Sequence, residues 1–528
     1  MVSTAPTRER ADVLIVGGGA AALLMAAKLG AAGKRVVVLE QGPDFTLNDL
    51  ISSQIWARRL KWGGTPMLLE GRHPVGFAYN AGWGVGGAAL HQFGNWPRLH
   101  PEDFRMKSLH GRGADWPIDY AELRPYYDRI QEEVGLAGDA LAETWRPEGA
   151  PYPMPPTRIF KHAELMAEGF HKIGIRTAPM PVAINTVERD GRAACIYDGW
   201  CEAGCPIGAL ANPQVTYLPV AIKAGVEIRS GCYVTRVLLD PRQQRAVGVE
   251  YYDSEGTRHE QPAKLVVLAA FVVENPRILF NSATEKHPAG LGNPNGLLGR
   301  AIMTHAGANV WAMFDEDVEN HLGLSAALLM SQDGYGKESR SGAFGSYTWT
   351  IGIAQKPNDV LGFANARGAL FGAALHEFMR KAARGVGKVQ AVCEEIPTPE
   401  NRVLLSDQKD RFGLPRARVI HNFEENAVKL FEFARDEGIR ALRQTRAVDV
   451  WAGPTPNISH VAGGTPMGRD AASSITDSYG RMHTFPNLFV AGAGLFTTEG
   501  AVHPTFTVHA LALRSVEHII DRWGGLVE

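Results

Sequence analysis

Cysteine, net charge and long apolar runs are all scarce in this chain, and each scarcity excludes something. Five cysteines among 528 residues are too few, and odd in number, for a disulfide framework. Lys and Arg total 54 against 56 Asp and Glu, a formal charge of -2, which removes the electrostatic case for a nucleic-acid partner. No uncharged apolar stretch reaches the roughly 18 residues that a membrane span needs, so no transmembrane segment is expected. The start, MVSTAPTRERADVLIVGGG, passes from a polar lead into an apolar run with no h-region and no twin-arginine pair. No export signal is therefore expected, and a cytoplasmic location follows unless a signal-bearing partner carries the chain to the periplasm. Internal repeats and low-complexity segments are also missing.

What is present is an ordinary globular composition, 45% hydrophobic and 21% charged, in a chain longer than one core usually supports. More than one domain is expected. Residues 12–16, DVLIV, read as a strand buried on both faces. Gly17, Gly19 and Ala22 then form G-x-G-x-x-A ahead of a helical stretch, and RVVVLE gives a second buried strand ending at Glu40. This order is a dinucleotide-binding fingerprint: Gly17 for the tight turn, Gly19 for close approach to a pyrophosphate, Ala22 for helix–strand packing. Glu40 is placed to accept from ribose hydroxyls. The fingerprint does not distinguish NAD from FAD. Further strands are expected over 226–239 and 264–270 with a hairpin between them, then a helix from FVVENPRILFNS.

The far end of the chain carries two histidines beside glycine-rich turns, His460 in SHVAGGTPMG and His503 in GAVHPTFTV. Imidazole suits proton transfer near neutral pH. Most of the 17 histidines are expected to be surface or satisfied core residues, His509 and His518 among them. Three of the cysteines, Cys195, Cys201 and Cys205, lie in CIYDGWCEAGCPIGA as C-x5-C-x3-C-P. Clustered thiolates suit zinc or an iron–sulfur cluster, and the lack of a fourth ligand favours a [3Fe-4S] cluster over structural zinc. Cys232 and Cys393 read as small core residues. Residues 371–388 read as an amphipathic helix bearing Arg380, Lys381, Arg384 and Lys388, either a solvated face or a dock for a partner or anionic lipid. Trp349 and Trp451 suit either sugar stacking or the core.

VVLAA followed by NPRILFNS, the loop GWGVGGAALH, the run PEDFRMKSLHGRGADWPIDYAELRPYYDRIQEEVGL, EEIPTPENRVLLS and the two histidine motifs together resemble the GMC (glucose-methanol-choline) family of FAD oxidoreductases. Within it they are similar to the branch of FAD-glucose, gluconate and polyol dehydrogenase catalytic subunits. The likeness runs from residue 11 to about 520 and is poor around 306–385. It implies an α/β fold: a Rossmann-like FAD-binding domain (1–155, 205–305 and 455–528) and a discontinuous substrate-binding domain on an antiparallel sheet (156–204 and 306–454), with the cysteine loop at 195–205.

The resemblance further implies oxidation of a hydroxyl of a sugar, glycoside, sugar acid or polyol to a carbonyl or lactone, with hydride passing to flavin N5. His460 is the implied base and His503 its partner on the substrate oxygen, although these roles are exchangeable. Implied FAD contacts are Gly86, Gly87, His91, Val234, Gly492, Ala493, Pro504 and Thr505, beside the fingerprint residues. In some relatives a histidine at the place of His91 is bonded covalently to flavin; packing near the ring is the other reading. Two departures stand out. The family's glycine after the paired alanines is Phe271 here, and an aspartate common in relatives is Gly492, so a contact there falls to backbone. The glucose dehydrogenase branch has matching cysteine spacing but a further cysteine where this chain has Ile196. A cluster would relay electrons to an external acceptor, with a cytochrome and a small export subunit as implied partners. An oxygen-using oxidase releasing H2O2 and a redox-neutral FAD-containing lyase remain as alternatives.

Overall fold

The computed structural model describes residues 9–62, 66–75, 82–337, 342–365, 367–453 and 457–528. Its first sheet is built on Ala11–Val16, which pairs in parallel with Val36–Leu39 on one side and with the C-terminal half of Arg258–Leu268 on the other. Glu227–Arg229 and Leu488–Val490 extend the parallel part at either side. The N-terminal half of Arg258–Leu268 instead forms an antiparallel meander with Ala246–Tyr252 and Tyr233–Leu239. Runs such as VLIV and VVVL are apolar on both faces because both faces are buried in the main core. The helix Ala20–Ala31 packs against Tyr217–Lys223 and the C-terminal helix Thr505–Asp521, which in turn meets Tyr120–Val134.

Tyr120–Val134 begins with reciprocal caps, Asp119 accepting from the Glu122 amide at 2.9 Å and Glu122 from the Asp119 amide at 3.0 Å. Its Tyr127 hydroxyl lies 2.6 Å from Thr507 Oγ1. That bond anchors the first turn of Thr505–Asp521, four residues beyond His503.

The second sheet is antiparallel, in the order Asp449–Ala452, Met303–Met313, Val386–Cys393, Tyr347–Ile351, Leu329–Ser331 and Ala178–Pro179. Asn457–Ala462, from the segment assigned by sequence to the nucleotide unit, also pairs with Met303–Met313. Helices Lys161–Lys172 and Glu425–Leu442 pack on this sheet. A third, small sheet joins Arg402–Lys409, Pro415–Ile420 and Leu68–Glu70. The helix expected over 371–388 ends at Gly385, and Lys388 lies instead on the strand Val386–Cys393. Val386, Val389 and Val392 are buried in register with Met303–Met313. Strand pairing of β-branched residues thus overrides the helical period there. Trp349 is core, its indole N–H donating to Glu437 at 3.1 Å, and Trp451 stacks on Trp311.

Candidate functional site

Three loops meet at the carboxyl end of Ala11–Val16. Gly17 has φ +96°, and a Cβ there would sit 2.5 Å from the Ala269 carbonyl oxygen, so only glycine fits. Glu40 is buried; its carboxylate accepts from the amides of Gly18 at 2.7 Å, Gly42 at 2.8 Å and Gly84 at 3.1 Å. Burial pushes Glu40 above the usual carboxylate range, with the three amides pulling the other way. The Gly86 amide donates to the Gly18 carbonyl at 2.8 Å, and a Cβ on Gly87 would come within 2.9 Å of Gly19 Cα. His91 is buried at the end of the short helix Gly87–His91. Val234 is buried on Tyr233–Leu239, two residues beyond Cys232, whose amide donates to the Glu40 carbonyl at 2.8 Å.

Space is left beside two backbones. A Cβ on Gly19 or on Gly492 would meet no atom within 4 Å. Gly19 opens the helix Ala20–Ala31 with no side-chain cap, which leaves first-turn N–H groups for a phosphate. Gly492 and Ala493 follow the strand Leu488–Val490, and Pro504 and Thr505 begin Thr505–Asp521. Ala22 is fully buried in the helix–sheet packing. These residues suit a dinucleotide: an uncapped helix N-terminus, an acid at the second strand and glycine-only walls.

His460 sits in the strand Asn457–Ala462. Ser459 pairs with His305 and Ala462 with Met303, so two residues of one strand oppose Thr304 of the other. This bulge puts His460 at φ +62°, a conformation that costs a non-glycine residue about 1–3 kcal/mol. It brings the His460 ring to 4.8 Å from that of His503 and 5.0 Å from that of His305, centroid to centroid. The turn after His460 is stitched to the loop before His503: the Gly463 amide donates to Ala493 and the Thr465 amide to Gly494, at 3.0 and 3.1 Å.

The hydrogen bonds assign the ring protons. His305 Nε2 lies 3.0 Å from the Gly500 carbonyl oxygen, and a carbonyl only accepts, so Nε2 is the protonated nitrogen of His305. Its Nδ1 then carries the lone pair, which accepts from His460 Nδ1–H at 2.9 Å. That leaves Nε2 as the basic nitrogen of neutral His460. On the other ring, Asn95 Oδ1 accepts from the Ala327 amide at 3.1 Å, so Asn95 Nδ2 donates to His503 Nε2 at 3.0 Å. His503 therefore holds its proton on Nδ1, which has no partner among the described residues. One ring accepts and the other donates, the pair of functions an alcohol oxygen requires.

Burial lowers all three rings: His460 to about 4, and His305 and His503 well below the usual imidazole value, with neighbouring histidines adding in the same direction. All are neutral at neutral pH. Glu499 is buried with neither carboxyl oxygen paired among the described residues, 3.8 Å from His305 Nε2. Burial, with Glu395 and Glu394 nearby, raises it well above the usual range. Behind His305, Glu395 accepts from the Thr304 amide at 2.7 Å, from Asn401 at 3.1 Å and from His421 at 3.0 Å. Burial opposes charge on His421, but Glu395 outweighs it and holds His421 above its ordinary value.

The cysteines stand in a loop of their own, whose short helix Cys201–Ala203 packs against Gly87–His91. Cys195 Sγ accepts from the Tyr197 amide at 3.3 Å and Cys205 Sγ from the Leu210 amide at 3.4 Å; Cys201 is buried between them in sequence. Burial, reinforced by the other sulfurs, pushes Cys195 up to about 12 and Cys201 further. Among the described residues no three His, Cys, Asp or Glu side chains converge to hold a single metal ion. The triad as folded is therefore no mononuclear site.

His305, Asn95, Glu499 and the Glu395–His421 pair were not found from sequence. Glu499 and Gly500 adjoin the His503 motif, and Glu395 lies in the run EEIPTPENRVLLS. His305 and Asn95 have no local motif: strand pairing brings in His305, while a bridge to Val182 and a bond from the Ala327 amide place Asn95.

Comparison with known proteins identifies the family. The N-terminal GMC oxidoreductase family profile matches residues 11–307 and the C-terminal one residues 376–512. The chain is 32% identical to 2-methyl-1,2-propanediol dehydrogenase of Mycolicibacterium austroafricanum, covering 98% of this chain and 97% of that protein. It is 28% identical to the fructose dehydrogenase large subunit of Gluconobacter japonicus, over 97% of this chain and 98% of the other. Among solved structures, pyridoxine 4-oxidase from Mesorbium loti superposes with a TM-score of 0.68 at 18% identity, covering 96% of this chain and 99% of that one. Formate oxidase from Aspergillus oryzae RIB40 gives 0.69 at 15%, over 99% and 100%. With profiles spanning most of its length and a relative above 30% identity, the chain belongs to the GMC oxidoreductase family.

Proposed function

We propose that the protein is an FAD-dependent dehydrogenase that oxidises a hydroxyl of a sugar, sugar acid or polyol. The observation that carries this reading is the complementary proton placement on His460 and His503, one nitrogen basic and one protonated, in rings 4.8 Å apart. Gly17, Gly19 and Glu40 would hold the adenosine and pyrophosphate side of FAD, and Gly87, Gly492, Ala493 and Pro504 the flavin side. FAD, when bound, supplies the acceptor for the hydride that leaves carbon.

The chain's own residues handle the proton. His460 Nε2 takes it from the substrate hydroxyl while His503 Nδ1–H donates to the same oxygen, stabilising the alkoxide character that develops there. Neutral rings suit both tasks, because a charged His460 could not act as base. Relatives that act on a diol, on fructose and on gluconate, the last a Pantoea cypripedii flavoprotein 25% identical over 99% of this chain, support polyhydroxylated substrates.

The cysteine loop is proposed to hold a [3Fe-4S] cluster on Cys195, Cys201 and Cys205 as the electron exit. Amide N–H groups aimed at two of the sulfurs support it, since such bonds stabilise cluster thiolates. An oxidase reading has its own support, because paromamine 6'-oxidase of Streptomyces fradiae is 26% identical over 96% of this chain.

Purified protein loaded with FAD tests these readings together. Anaerobic addition of fructose, gluconate or 2-methyl-1,2-propanediol should bleach the flavin, and turnover should be faster with an artificial dye than with oxygen. Faster turnover with oxygen would establish the oxidase. No bleaching by any member of a wider sugar and polyol panel would point to a lyase and sink the dehydrogenase.

A further inference from the structure

We propose that His305 is a positioning residue that fixes His460 in the tautomer whose Nε2 is basic. The inference rests on the reading of His460 as base. It starts from a bond pattern with little freedom. The Gly500 carbonyl at 3.0 Å accepts from His305 Nε2–H, and His305 Nδ1 is then an acceptor facing His460 Nδ1 at 2.9 Å. An isolated neutral imidazole divides its proton between two nitrogens; here one placement would set two lone pairs against each other.

The strand carrying His305 is itself held. The Thr304 amide donates to Glu395, whose carboxylate is paired with His421. The bulge at His460 and the pairing of Ser459 with His305 keep the two rings in register. When His460 Nε2 accepts the substrate proton, its Nδ1–H stays with His305 and the bond becomes charge-assisted, hence stronger. No proton needs to pass to His305. The titratable groups facing His305 are His460, His503 across the cluster and Glu499, 3.8 Å away; Glu395 lies behind Thr304.

The test uses the FAD-loaded enzyme with whichever of fructose, gluconate or 2-methyl-1,2-propanediol bleaches the wild-type flavin. His305→Leu should lower kcat about 10- to 100-fold, the loss of one charge-assisted hydrogen bond in the transition state, with KM within about threefold. The acid limb of its kcat profile should move to lower pH, because the protonated His460 loses an acceptor. His305→Gln offers a carbonyl oxygen to His460 and an amide N–H to Gly500, and should recover most of the rate. A His305→Leu enzyme as fast as wild type, or a Gln variant no better than Leu at equal flavin content, would overturn the proposal.

If His305→Leu does not fold, 15N-histidine NMR of the wild-type holoenzyme decides instead. The His460 signal, assigned by its loss in His460→Ala, should show Nδ1 protonated, and an Nε2-protonated ring overturns the assignment. The underlying reading fails separately: turnover retained by His460→Ala removes the base without touching the tautomer measurement.

Discussion

The histidine cluster and the cysteine loop are the two chemically loaded regions of this protein, and they are built in opposite ways. His305 and His460 stand on paired strands of the second sheet, with His503 at the mouth of a long helix, and the ring protons are assigned by carbonyl and amide partners. Cys195 and Cys205 stand on irregular backbone, partly exposed, with Cys205 at φ +59° and glycines 199, 204 and 208 in left-handed conformations. Proton transfer demands geometry fixed to a fraction of an ångström, so it is placed on regular elements. A loop of thiols can close around a cluster whose own bonds impose the geometry. The histidine region is organised by the fold; the cysteine loop, on the reading proposed above, would be organised by what it binds.

The sharpest way to break that contrast is His460→Ala. Removing a general base should lower kcat about a thousandfold, within the usual range of 10²- to 10⁴-fold, while FAD content stays unchanged. Steady-state turnover and the 450 nm region of the spectrum check both halves. The second-largest effect should come from Cys201→Ala, and it should be of another kind. Iron content and its paramagnetic signal should be lost and dye reduction should fall, yet anaerobic bleaching by substrate should persist. Bleaching lost together with iron would show that the two regions are not separable.

Asn95→Leu tests how far the fold dictates protonation. It removes the donor to His503 Nε2 and frees the proton on Nδ1 to migrate, so kcat should fall about tenfold, roughly one hydrogen bond. The same burial that keeps the rings neutral has a pH signature. The acid limb of kcat/KM should lie at about pH 4 instead of near the free imidazole value, because His460 is lowered to about 4. Stability should follow a related sign. His162, His460 and His509 are each lowered to about 4 by burial. Between pH 6.5 and 4 the unfolded chain binds protons that the folded chain refuses, so stability falls with pH, by up to about 1.4 kcal/mol per pH unit for each such histidine. Denaturant midpoints at pH 7 and 5 measure it; a midpoint rising at pH 5 would contradict the burial.

The nucleotide half was legible because its signals are local. Gly17, Gly19, Ala22 and Glu40 follow one another at the spacing a strand, a turn, a helix and a strand require, and the glycines are dictated by backbone approach. His460 and His503 were legible for the same reason, each beside a glycine or proline turn of its own. The residues that set their protons were not. Asn95 reaches His503 across 408 positions of sequence and His305 reaches His460 across 155. Nothing near either one marks it, because the constraint is a strand register for His305 and a long-range side-chain bond for Asn95, and not a local conformation. The helix read over 371–388 failed at its end for a kindred reason, strand pairing having claimed Val386 onward.

The smallest effect concerns Phe271, which stands directly after the paired alanines Ala269 and Ala270. Phe271 has φ +91°, in the region where a side chain is strained, and its ring packs against the small cluster of Val272, Val273, Ile302 and Val403. Strain and packing therefore oppose each other at one residue. Phe271→Gly relieves the backbone and forfeits the ring contacts; Phe271→Ala forfeits the same contacts and keeps the strain. The glycine variant should be the more stable of the two by about 1 kcal/mol. Comparing the variants with each other cancels the packing loss, which a comparison with wild type would not. Denaturant midpoints of the two apoproteins give the difference, and an alanine variant equal to the glycine one would mean that φ +91° carries no cost here. Either result also bears on the contrast between the two regions. The Ala270 amide donates to Asn275 Oδ1 at 2.9 Å just beneath the nucleotide loop, so a relaxed residue 271 should leave FAD affinity unchanged if the fold, and not the ligand, holds that turn.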